Sequence, residues 1–87
     1  MSASLLYEVM VKTLQRREHA ALLLHRAAQD ATAFLNLGEP QKASDALQVA
    51  TLEFQIACDQ YKEATDNYYL MQMSKKENEN VRTTEAA

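Results

Sequence analysis

Apolar positions in the second half of the chain recur on a strict schedule. Ala43, Ala50, Ala57 and Ala64 stand seven residues apart, and Leu47, Phe54, Tyr61 and Tyr68 alternate with them. Steps of four and three place all eight side chains on one stripe of an α-helix. A methyl alternating with a bulky group suits a seam packed closely against an antiparallel helix. The first half offers a matching stripe in Tyr7, Met10, Leu14, Arg17, Ala21, Leu24, Ala28, Ala31 and Leu35. Helical periodicity runs from about residue 4 to 37, breaks at Leu37-Gly38-Glu39-Pro40, and resumes from 40 to about 74. Gly38 can take the left-handed conformation that closes a helix, and Pro40 suits a first turn, where no amide donor is needed. So short a connection makes the helices antiparallel neighbours.

The fold expected is therefore all-α: a two-helix antiparallel hairpin over residues 1–74 with an alanine-rich seam, completing a helical bundle by self-association or with a partner. Its parts are helix 1 at about 4–37, a turn at 38–39 and helix 2 at about 40–74, with a polar tail at 75–87 expected to fray or stay disordered. Ser2 and Ser4 are candidate caps for helix 1. Folding at Gly38 brings together positions whose numbers sum to roughly 78. That register pairs Ala28 with Ala50, Leu24 with Phe54 and Ala21 with Ala57. It also sets Arg17 opposite Tyr61, where the guanidinium can stack on the ring.

A second apolar face appears on turning about 100° per residue away from each seam. Leu5, Val9, Ala20, Leu23, Ala27 and Phe34 line one flank of helix 1, and Val49, Leu52 and Ile56 line one flank of helix 2. Because the helices run in opposite directions, both flanks reach the same side of the hairpin. The other side carries Glu18, Gln29, Asn36, Thr51 and Thr65, with Val11 and Leu22 as isolated apolar exceptions. A broad sticky side points to another protein surface. The partner-binding residues expected are Leu5, Val9, Leu23, Phe34, Val49, Leu52 and Ile56.

Composition narrows the function further. The 87 residues hold one glycine, one proline and one cysteine, so turn signals for a sheet are lacking and no internal disulfide can form. A chain this short builds a marginal core by itself, and association is the expected remedy. The longest apolar run, Ala20 to Leu24, is too short to span a membrane, and the amino-terminal stretch lacks the pattern of a signal peptide. A soluble, cytoplasmic protein is expected. Net charge is −3, which gives no electrostatic case for nucleic acid as the default partner.

No residue set carries catalysis. His19 and His25 stand six apart, on different helix faces, and offer no metal pair, while Cys58 lacks the basic or histidine neighbours of a nucleophile and reads as a small filler at the seam's edge. Asp45, Glu53, Asp59, Glu63 and Asp66 read as a solvated face. No cofactor, metal or catalytic residue is expected, and the chain reads as a non-enzymatic protein. Lys12, Arg16, Arg17 and Arg26 make helix 1 basic against the acidic helix 2, a division that can guide pairing.

With its leucine-rich first helix, a turn ending in Glu39-Pro40-Gln41, a second helix with Leu47 through Ile56, and the late tyrosines Tyr61, Tyr68 and Tyr69, the chain resembles a known family. This is the small helical-hairpin chaperones of type III secretion needle subunits, of the YscE and SsaE kind. The resemblance implies a cytoplasmic hairpin that joins a tetratricopeptide-type co-chaperone and keeps an aggregation-prone secretion subunit monomeric. The function expected is thus an interaction module, a chaperone or adaptor masking an apolar helical surface of its partner. The alternative is an RNA-binding homodimer resembling the plasmid copy-control protein Rop, with Lys12, Arg16 and Arg26 on phosphates.

Overall fold

The computed structural model describes the backbone over residues 3–86 and the side chains over residues 3–75. Two helices account for it: α1, Ala3–Asn36, and α2, Pro40–Ala86, packed along their lengths as an antiparallel hairpin. The molecule is a rod measuring 75 × 16 × 15 Å.

The turn forms as its residues dictate. Gly38 has φ 76°, its amide donates to the Leu35 carbonyl at 3.1 Å, and the Glu39 amide donates to the Phe34 carbonyl at 2.8 Å. This crossed pair of bonds satisfies carbonyls left over at the end of α1, and it requires a left-handed residue where Gly38 stands. Pro40 then opens α2, while the Ala43 amide donates to the Glu39 carbonyl at 3.3 Å. Lys42 and Glu39 form an exposed ion pair at 3.2 Å, and Gln41 donates to Asp45 at 3.0 Å, both within the first turns of α2.

α2 is longer than its apolar pattern suggests. The tail expected to fray from residue 75 continues the helix to Ala86 instead. Lys75 to Ala86 contains neither glycine nor proline and is rich in residues that tolerate a helix, so nothing in it ends the hydrogen-bond ladder. At the other end α1 begins at Ala3, so Ser4 lies inside the helix and does not cap it; Ser2 lies outside the described residues.

The core is a seam of methyl groups. Ala43, Ala50, Ala57 and Ala64 on α2 are all buried, and Phe54, Tyr61 and Tyr68 are half-buried between them, as the heptad spacing requires. Arg17 stacks over the Tyr61 ring, 4.5 Å from its centroid. Farther from the turn Tyr7 and Tyr68 meet at a tilt, their centroids 5.9 Å apart. The expected register therefore holds to within a turn of helix. Leu24 and Phe54, paired in that register, are both half-buried.

On α1 the seam is rotated by one row from the expected stripe. Met10, Arg17, Leu24 and Ala31 belong to it, but they alternate with Leu6, Thr13, Ala20, Ala27 and Phe34. Tyr7, Ala21, Ala28 and Leu35 are exposed, and Leu14 is only half-covered. The deciding residue is Thr13, which is 8 % exposed. Its hydroxyl donates to the Val9 and Met10 carbonyls, both at 2.9 Å, so its one polar atom is satisfied inside its own helix and the rest behaves as a small β-branched filler. With Thr13 accepted, Ala20 and Ala31 can face the α2 alanines and bring the helices close together.

Candidate docking surfaces

Six alanines and Thr13 are the whole of the described buried set, and no described large side chain is fully buried. Burying a methyl removes far less apolar area from water than burying a leucine or phenylalanine, so the hairpin gains little from its seam. The chain exposes 6866 Å² for its 9.8 kDa, about 1,700 Å² more than the roughly 5,200 Å² of a compact protein of that mass. The surface offers two long faces, one on either side of the seam.

The first face holds most of the expected partner-binding residues. Leu23 and Ile56 lie on opposite walls of a cleft of about 490 Å³ floored by Ala20 and Ala57 and rimmed by Lys12, Arg16, His19 and Glu53. Val9 and Glu63 line its continuation toward the start of α1. Leu5, Val9, Val49 and Ile56 all remain exposed, at 44 to 59 %. The structure removes two residues from this set. Phe34 is half-buried in the seam row with Leu6, Thr13, Ala20 and Ala27, a consequence of the rotation of α1. Leu52 is exposed but falls, at seven-residue spacing, in line with Asp45, Asp59 and Asp66 on the back of α2. Ala20 and Ala27, expected on this flank, also belong to the seam.

The second face is the surprise. The row expected inside the seam, Tyr7, Leu14, Ala21, Ala28 and Leu35, runs beside it. Across from it on α2 stand Ser44, Thr51, Cys58 and Thr65, small side chains with hydroxyl or thiol groups, so the two rows flanking the seam carry no charge on this side. The side read as polar with stray apolar residues is in fact the less charged of the two. The same row of alanines and leucines that suggested the seam was the signal for this face. Cys58 is a half-buried free thiol here, in keeping with a filler role. The hydroxyl oxygen of Thr65 is buried with no hydrogen-bond partner.

Among the described residues no group of histidine, cysteine and carboxylate side chains could hold a metal ion. His25 accepts a long bond of 3.4 Å from the Gln29 amide, one turn along its own helix, and His19 stands on the cleft rim. No described helix is long and apolar enough to cross a membrane. What the hairpin presents to solvent is two elongated surfaces, one on either side of the seam. No protein-family model, curated protein or solved structure matches the chain.

Proposed function

We propose that the chain is a non-enzymatic interaction module of the cytoplasm, a chaperone or adaptor that masks an apolar helical surface of another protein. One observation carries the reading: a core made of alanine methyls leaves Leu5, Val9, Leu23, Val49 and Ile56 on one face, and Tyr7 and Leu35 on the other, in contact with water. A hairpin with so thin a core gains most when a helix lies along those rows and takes their area out of solvent. Such a helix would present apolar side chains at steps of three and four, the helix-in-groove mode of recognition. The likeness to needle-subunit chaperones points to an aggregation-prone secretion subunit as the client, held together with a tetratricopeptide co-chaperone.

The test is capture of the native chain with its bound proteins from its source cells, alongside Ile56→Asp on the first face and Ala21→Asp on the second. Both positions are exposed, so helicity by circular dichroism should match the parent. At least one variant should lose the captured helical client, because a charge would then sit in an otherwise dry contact. If both variants stay folded and hold every partner as firmly as the parent, the reading fails. Recovery of RNA instead of protein would also reject it.

A further inference from the structure

We infer that the cleft face takes a second copy of this chain, laid parallel so that both turns lie at one end and α1 of each copy rests on α2 of the other. The inference rests on the interaction reading above and names the occupant of one face, leaving the less charged face for the client.

Charge is the first argument. Lys12 and Arg16 rim the cleft from α1, and Glu53 and Glu63 rim it from α2. These four hold no ion pair; the one salt bridge among the described residues joins Lys42 to Glu39, near the turn. Around the cleft, basic residues of α1 and acidic residues of α2 thus lie side by side with their charges unmatched inside the hairpin, while nearer the turn the same seven-residue rows carry Asp30 on α1 and Lys42 on α2. A two-fold axis running along the cleft keeps every residue at its own height and exchanges the rows, setting basic α1 over acidic α2 twice. An axis across the cleft would stack α1 on α1 and α2 on α2, like charge on like.

Register is the second argument. Arg17 lies over Tyr61, which places Arg16 nearly level with Glu63 and, seven residues nearer the turn, Leu23 nearly level with Ile56. Seven residues the other way, Val9 is nearly level with Leu70, and both are exposed. One parallel placement therefore sets Val9 on Leu70, Arg16 on Glu63 and Leu23 on Ile56 of the second copy, with the charged pair between two apolar ones. The area suffices too. The 34 residues of α1 give a face about 51 Å long, and with a rod 16 Å wide this is about 800 Å² per copy, the share of a standard interface.

Sedimentation equilibrium of the full chain measures the mass directly. At about 50 µM, above the dissociation constants usual for an interface of this area, the native chain should be a dimer. Arg16→Glu or Glu63→Arg alone should weaken dimerisation about tenfold, since symmetry repeats each reversed pair, and the double variant should recover to within about threefold. Circular dichroism of all three should match the parent, as both positions are exposed. Orientation is read by mixing Leu23→Cys and Ile56→Cys copies, each also Cys58→Ser, and oxidising; the disulfide should join unlike copies. A monomeric native chain, a double variant no better than the singles, or a preferred bond between two Leu23→Cys copies overturns the inference. A monomer that still holds its client leaves the interaction reading intact, whereas a dimer that captures no client does the reverse.

Discussion

Two adjacent alanines should respond very unequally to the same enlargement. Ala20 is 8 % exposed and lies with Ala57, 6 % exposed, at the floor of the cleft, whereas Ala21 is exposed one row away. Ala20→Leu forces three further carbon atoms into a seam filled by methyl groups. Overpacking of this kind costs about 1 to 3 kcal/mol. At about 4 to 8 °C per kcal/mol for a domain of this size, the melting temperature should fall by roughly 5 to 20 °C. Ala21→Leu adds the same carbons over open surface and changes helix propensity by only a few tenths of a kcal/mol, so its shift should stay within about 4 °C. Thermal melts followed by circular dichroism, all at one protein concentration because association couples to stability, compare the two directly. Equal shifts, or a larger loss at Ala21, would return the row of Tyr7, Leu14, Ala21, Ala28 and Leu35 to the seam and undo the description of both faces.

Two further substitutions probe single atoms. Gly38→Ala meets no heavy atom within 4 Å at its new Cβ, so only the left-handed backbone at φ 76° resists it; chemical denaturation should show a loss of about 1 to 2 kcal/mol. Thr65→Val deletes the buried hydroxyl that has no partner and keeps the shape, and the same measurement should show an unchanged or higher stability, by up to about 1 kcal/mol; a loss of more than about 1 kcal/mol would mean that the hydroxyl is bonded after all.

The second helix was legible because each step of its ladder admits one choice. Between Ala43 and Tyr68 the alanine rows and the bulky rows are the only ones with unbroken apolar character, and the structure buries or half-buries nearly all of them; Leu47, at 37 % exposed, marks where the seam gives way to Ala46 near the turn. The stacking of Arg17 on Tyr61 was legible for the same reason, since the turn at Gly38 sets the register and Arg17 lies in a row that both descriptions of α1 share. The first helix is ambiguous because two neighbouring rows are both largely apolar. Leu6, Ala20, Ala27 and Phe34 compete with Tyr7, Leu14, Ala21 and Leu35 on equal terms, and Thr13 in the first row favours the second when read as polar. Its bonds to Val9 and Met10 reverse that judgement, and they exist only once the helix has formed. That single rotation carried Phe34 off the docking face and exposed the alanine row. The placement of Leu52 failed differently, because a step of three from Val49 continues away from the seam toward the aspartates at 45, 59 and 66.

The rod shape has a hydrodynamic consequence. A body 75 Å long and 16 Å wide diffuses more slowly than a sphere of its mass, so on a sizing column the monomer elutes as though it were heavier. Laying a second copy alongside adds thickness and scarcely any length, so the friction of the pair rises less than its mass. Elution volume therefore separates one copy from two poorly, and light scattering or sedimentation must count the chains. The same dimensions favour work along a surface: a slender bar contacts an elongated client over many turns of helix while adding little bulk to the complex.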